Sequence, residues 1–168
     1  MKAIIYTSNT GSTAEYAQLL GKELNLPVHS LQQAKNEVPV GSEIIYLGWI
    51  MAGGIKGYKE AAKLYKVRAV CGVGMGQTGT QLKEVRDKNA IPQRIPLFTL
   101  QGNFDVKKLH GVYRFMMNVM VKTAGKGLAN KTDRTPEEDD MLDMMVNGGK
   151  RVSLQNLKAV TEWYKSLN

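Results

Sequence analysis

A chain of 168 residues, 43% apolar and 23% charged, has the size and make-up of one ordinary globular domain. A single cysteine, Cys71, excludes an internal disulfide; no stretch is apolar for long enough to span a bilayer, and the N-terminal run M-K-A-I-I-Y lacks a signal-peptide core, so a cytoplasmic protein is expected. The formal net charge is +8 and is unevenly placed: residues 56–126 hold fourteen Lys and Arg against Glu60, Glu84, Asp87 and Asp105. A basic middle favours anionic partners, or is simply a set of solvated lysines on helix faces.

In chain order, Ala3-Ile4-Ile5-Tyr6 is a short apolar strand. Residues 12–24 place Ala14, Ala17, Leu20 and Leu24 on one helical stripe. A second strand is predicted over 27–31, followed by a short polar stretch, and a third over 43–47, ending at Gly48. A helix over 56–65 leads to a fourth strand over 67–73, which contains Cys71 as a small buried hydrophobe. That strand ends in a glycine-rich turn; a helix over 80–88 and a fifth strand over 95–100 follow. A helix over 153–167, capped by Ser153, closes the chain.

Short, continuously apolar strands alternating with helices predict a parallel sheet covered on both faces. The expected fold class is α/β: a doubly wound five-stranded sheet in the order 2-1-3-4-5, forming one domain over 1–168. Between the fifth strand and the closing helix, residues 102–152 are too many for a plain connection. They read as a helical insertion. A helix over 105–123 is expected from its apolar spacing, and Thr135-Pro136-Glu137-Glu138 is a capping box that opens a second, acidic helix ended by Gly148-Gly149.

Ligands of such sheets sit beyond the carboxyl ends of the strands, at the switch between strands 1 and 3. Three loops are predicted to meet there. The first, after strand 1, sets Ser8, Asn9, Thr10, Gly11, Ser12 and Thr13 at the N-terminus of the first helix, where unpaired amides and a partial positive charge await an anion. So many hydroxyls indicate an anion gripped by neutral hydrogen bonds, and hence a phosphorylated small molecule. The second loop carries Trp49, Ile50, Met51, Ala52, Gly53 and Gly54; the third carries Gly74, Met75, Gly76, Gln77 and Gly79.

No G-x-x-x-x-G-K-[ST] occurs, which argues against ATP or GTP hydrolysis, and no acids stand where a phospho-receiver needs them. Gly74 to Gly79 matches G-x-G-x-x-G, but it follows the fourth strand, and the next strand ends in the neutral Thr99-Leu100-Gln101. A glycine-rich turn whose backbone approaches a flat ring is the better reading than a dinucleotide site. His29 and His110 lack metal-ligand spacing and have no acidic neighbours in sequence.

Ser8-Asn9-Thr10-Gly11-Ser12-Thr13-Ala14-Glu15 parallels the S-x-T-G-x-T-x-E pattern of the flavodoxin family, and with Gly48-Trp49, the glycine-rich third loop and the strand–helix order the chain resembles that family. The resemblance implies a flavoprotein in electron transfer: residues 8–13 would bind the phosphate of FMN, and the loops around Trp49 and Met75 would flank its isoalloxazine ring. Trp49, Ile50 and Met51 offer an apolar or aromatic face, unless Trp49 only packs on the next helix; the loop glycines admit backbone groups to the ring's pyrimidine edge. Flavodoxins commonly carry acids and a stacking tyrosine in the third loop. Residues 74–79 have neither, which implies a potential above that of a low-potential carrier.

The basic charge also departs from the usual acidic carriers. The segment from Tyr113 to Lys122 is similar to an insertion of the flavodoxin-type protoporphyrinogen dehydrogenases, which implies an alternative role as a quinone-linked oxidoreductase of that kind. Partners are therefore expected to be a redox protein or a small-molecule electron donor or acceptor. Residues 105–126, with Lys107, Lys108, Arg114, Lys122 and Lys126 around a Met-rich face, offer a membrane, quinone or porphyrin contact, or else pack on the sheet edge. No nucleic-acid reader motif is present. A non-catalytic binding module on the same fold is the remaining alternative.

Overall fold

The computed structural model describes residues 1–103 and 111–167, without the side chains of 112, 113, 116, 117 and 120. Five strands form a parallel sheet: β1 (Ala3–Thr7), β2 (Val28–Ser30), β3 (Glu43–Met51), β5 (Lys66–Gly74) and β6 (Leu97–Gln101), in the spatial order β2-β1-β3-β5-β6. Counted along the parallel strands this is the expected 2-1-3-4-5 order, the flavodoxin-like doubly wound arrangement. A sixth strand, β4 (Gly54–Ile55), pairs antiparallel with the end of β3. The helices are α1 (Ser12–Leu24), α2 (Leu31–Glu37), α3 (Tyr58–Leu64), α4 (Leu82–Asn89), α5 (Gly111–Ala129), α6 (Pro136–Asn147) and α7 (Lys158–Lys165).

Period-two alternation along the strands divides the core into two layers. Ala3, Ile5, Ile44, Tyr46 and Val70 face α2, α3 and α4, against Leu31, Ala34, Ala61 and Val85. Ile4, Ile45, Leu47, Ala69 and Cys71 face the other way, against Tyr16, Ala17, Leu20 and Val160 of α1 and α7. Strands buried on both sides read as the unbroken apolar runs that the sequence displays. Cys71 is fully buried in this second layer, and burial pushes its thiol up to about 12.

Several boundaries differ from expectation for local reasons. The polar stretch after β2 is the helix α2, opened by a reciprocal capping box between Ser30 and Gln33. Its Glu37 lies 2.8 Å from His29, so that histidine has an acidic partner after all. β3 does not stop at Gly48 but runs to Met51 and turns back as β4. The closing helix is not capped by Ser153; a short 3-10 turn over Gln155–Leu157 precedes α7.

In the insertion, both halves of the capping box at Thr135 and Glu138 form, Pro136 sits in the first turn, and Gly148 ends α6. The helix predicted over 105–123 is present from Gly111 and extends to Ala129; its expected start, with Lys107, Lys108 and His110, lies outside the described residues. No helix among the described residues is long and apolar enough to cross a membrane.

Candidate functional site

The strand registers bring the carboxyl ends of four strands to one level: Thr7 lies beside Gly48, Gly48 beside Gly72, and Gly74 beside Gln101. The three predicted loops therefore emerge side by side, and the first stands at the switch between β1 and β3. Tyr46 holds two of them at their roots. Its hydroxyl is bonded to Thr7 Oγ1 at 2.8 Å and to the carbonyl of Lys56 at 2.7 Å. A carbonyl only accepts, so the tyrosine donates to Lys56 and Thr7 donates to the tyrosine. Burial holds the Tyr46 phenol well above its ordinary range, so it stays a donor at any working pH.

In the first loop Gly11 adopts φ 104 and turns the chain into α1 with no side-chain cap. A Cβ at Gly11 would meet nothing within 4 Å, so the space outside the turn is open. The Gly11 amide donates to Ser8 Oγ at 3.2 Å, and Glu15 N donates to the carbonyl of Gly11. Among the described residues, the amides of Asn9, Thr10, Ser12, Thr13 and Ala14 bond to no other backbone group. That is the orphan donor set of a helix N-terminus, here on a helix of 13 residues. Ser12 differs from the expectation in one respect. Its hydroxyl accepts from Asn103 N at 3.0 Å, so toward a ligand it offers its amide. Thr13 is buried, at 1% exposure.

The second loop is a tight hairpin. Ala52 and Gly53 both have positive φ, 47 and 75, the signature of a type I′ turn between Met51 and Gly54. Ile50 packs over Gly72 and Gly74 against the core and is half-buried. Trp49 and Met51, two residues apart, lie on the opposite side of the strand and are half-buried. Lys56 Nζ stands 5.7 Å from the centre of the Trp49 ring, a cation–π distance. Sequence reasoning missed what fixes this hairpin. Asn89, at the end of α4, accepts from Ile55 N at 2.7 Å and donates to the Gly53 carbonyl at 2.8 Å.

The third loop is pinned to β6. Gly79 N donates to the Thr99 carbonyl at 3.0 Å, Gln101 N to Thr78 Oγ1 at 3.0 Å, and the Thr99 hydroxyl to the Thr80 carbonyl at 2.7 Å. The Gly79 amide is thus committed, and Gly74 accepts from Gly102 N at 2.7 Å. The amides of Met75, Gly76 and Gln77 bond to no backbone group among the described residues.

The insertion reaches this loop. A cavity of about 180 Å³ lies between Met75, Gly76, Gln77, Thr80 and Gln81 on one side and Glu137, Asp140 and Met141 of α6 on the other. The loop itself is neutral, as read, but α6 brings two carboxylates beside it. Asp140 is bonded to Gln101 Nε2 at 2.5 Å and to Arg151 at 3.1 Å. Asn103 fastens both roots of the insertion. Its Oδ1 accepts from Arg151 N at 2.6 Å and Val152 N at 3.0 Å, while its Nδ2 donates to Glu15 of α1 at 3.1 Å. Asn89, Asn103 and Asp140 carried no signal in sequence, because each acts on backbone or side chains 11 to 88 residues away.

The fold is a doubly wound α/β sheet whose three loops meet at its topological switch point, where Trp49 and the first-turn amides of α1 lie. No family model, curated protein or solved structure matches the chain.

Proposed function

We propose that the protein binds FMN where these three loops meet and passes electrons through it, in the cytoplasm, between a redox partner protein or small-molecule donor and an acceptor. One observation carries the reading: five backbone amides without backbone partners, with the hydroxyls of Ser8 and Thr10, stand at the N-terminus of α1, where a Cβ on Gly11 would meet nothing within 4 Å. A phosphate dianion needs that donor chemistry, with no lysine required. The likeness of residues 8–15 to the flavodoxin phosphate loop supports the same assignment.

The neighbouring loops fit a flat ring. Trp49 and Met51 give one apolar wall, and the amides of Met75, Gly76 and Gln77 are oriented donors for a ring edge. A bound flavin supplies the electron chemistry; the chain supplies grip, orientation and electrostatics. The amides of Asn9, Thr10, Ser12, Thr13 and Ala14 would hold the phosphate, the hairpin would fix the wall, and α6 would narrow the approach of water from the side of Met75.

A second reading has its own observation. On α5 the large apolar residues Phe115 and Val119 point to solvent, 70% and 45% exposed, among Arg114, Lys122 and Lys126. A cationic helix with an apolar outer face suits an anionic lipid surface or a flat apolar substrate. That favours the quinone-linked protoporphyrinogen dehydrogenase type of activity over a free carrier.

An FMN titration of the purified protein, followed by anaerobic reduction, tests the first reading. Binding that turns the protein yellow, with reversible reduction, is expected; a colourless protein that fails to take up FMN leaves only a non-catalytic binding module. Turnover of protoporphyrinogen with a quinone, and sedimentation with anionic vesicles, tests the second.

A further inference from the structure

Asn89 stands at the last position of α4 and is 5% exposed. Its carboxamide is fully used: Oδ1 accepts from Ile55 N at 2.7 Å, and Nδ2 donates to the carbonyls of Gly53 at 2.8 Å and Val85 at 2.7 Å. The partners demand one acceptor and two donors at one methylene from the backbone. Aspartate has no donor, glutamine is a methylene too long, and serine supplies one donor at most. Two of the three bonds end on the hairpin that carries Trp49 and Met51.

The rest of the hairpin is held by the pairing of β4 with β3 and by the bond from Lys56 N to the Trp49 carbonyl at 3.0 Å. It is two residues wide at β4, and its turn contains Ala52 at φ 47, a conformation an alanine adopts at a cost. α4 meanwhile begins at Leu82, with Gln81 as its N-cap, just after the third loop. One helix therefore touches both candidate walls: its first turn follows the Gly74 to Gly79 loop, and its last residue grips the hairpin.

We infer that Asn89 is a positioning residue for the flavin ring, setting the distance between the Trp49 hairpin and the third loop; this rests on the FMN reading above. It touches no ligand itself. It acts by fixing the backbone of Gly53 and Ile55, so its loss releases the wall while the sheet beneath stays paired.

The test compares wild type, Asn89→Ala and Val85→Ala. Val85 lies one turn earlier on α4, is 1% exposed, and its side chain packs in the core cluster that also holds Ile55, without a hydrogen bond to the hairpin. Its variant measures the effect of general destabilisation. Three readouts apply: urea unfolding of each protein without flavin, amide exchange at Ile55, and FMN affinity by fluorescence quenching. Asn89→Ala is expected to speed exchange at Ile55 and to weaken FMN by about tenfold or more, whereas Val85→Ala unfolds more easily but keeps FMN affinity within about twofold. Wild-type affinity in Asn89→Ala, or equal losses in both variants, overturns the inference. Should Asn89→Ala not fold, the wild type carries the test: the Asn89 carboxamide and Ile55 amide resonances must both move on FMN addition, and unmoved signals overturn it. A wild type that binds no FMN at all instead sinks the flavin reading, and it does so whatever Ile55 exchange reports about the hairpin.

Discussion

Gly57→Ala probes the joint beneath the first two loops. Gly57 has φ 78, and a Cβ there would collide with Tyr46 Oη and come within 2.5 Å of Thr7 Oγ1 and 3.2 Å of Leu31. The left-handed backbone alone costs an alanine about 1–2 kcal/mol. Forcing a methyl into a filled space adds about 1–3 kcal/mol, for a total of about 2–5 kcal/mol. Tyr46→Phe removes the phenolic oxygen and with it the bonds to Thr7 and Lys56, at about 1–3 kcal/mol, because the Lys56 carbonyl loses its partner. Phenylalanine also vacates the nearest obstacle to the new methyl. The double variant should therefore lose less than the sum of the two singles, by about 1 kcal/mol or more. Urea unfolding of the four proteins, followed by circular dichroism at constant m, measures each term. A Gly57→Ala cost below about 1 kcal/mol, or costs that add within about 0.5 kcal/mol, would refute the close approach of these three groups.

Other expectations follow from the same geometry. Ser8→Ala and Thr10→Ala should each weaken FMN by about 1 kcal/mol or more, read by fluorescence titration, since each removes a hydroxyl at a charged phosphate; unchanged affinity in both counts against this placement. Cys71 is buried, with its thiol pushed up from 9.0 to about 12, so above pH 9 the unfolded chain sheds this proton first. Stability from the neutral thiol is thus fully present below pH 9 and is lost as pH rises toward about 12; Cys71→Ala should flatten that alkaline slope in urea unfolding, and an identical slope in both proteins would contradict it. Asn103→Ala cuts the bonds to Arg151 N, Val152 N and Glu15 and should raise protease cleavage within α5 and α6 while leaving the sheet intact. Cleavage at the wild-type rate would show that Asn103 does not tie down the insertion.

The layered fold was legible because both faces of the sheet are buried, which writes the strands as unbroken runs such as Glu43-Ile44-Ile45-Tyr46-Leu47. The capping box at Thr135 was legible because its two partners are three residues apart. Ser30 and Gln33 held the same signal for α2, but a helix of seven residues shows too little periodicity to draw the eye. The β3–β4 hairpin was hidden for a different reason. Its turn places Ala52 where Asn or Asp would announce a type I′ turn, so nothing local marks it. The donor row at the start of α1 was readable from residues 8–13, since helix N-termini are orphaned by geometry alone. The commitments of individual groups were not readable: the Ser12 hydroxyl is taken by Asn103 and the Gly79 amide by Thr99, each through a partner distant in the chain.

The same distance effect changes the electrostatic argument at the third loop. Residues 74–79 are neutral, and that alone argues for a raised flavin potential. The insertion then places Glu137 and Asp140 on the far wall of the cavity beside Met75 and Gly76. The two carboxylates are not equivalent. Asp140 shares Arg151 with Asp143 and takes the Gln101 carboxamide, so much of its field is cancelled close by. Glu137 has no ion-pair partner among the described residues, and it is the charge that a reduced, more negative ring would meet. Glu137→Gln should therefore raise the midpoint potential of the bound FMN, with the rise shrinking as salt is added because the carboxylate faces water. Spectroelectrochemical titration at low and high ionic strength reads both effects. An unmoved or lowered potential would mean that the ring lies away from α6, with its electrostatics set by the third loop alone.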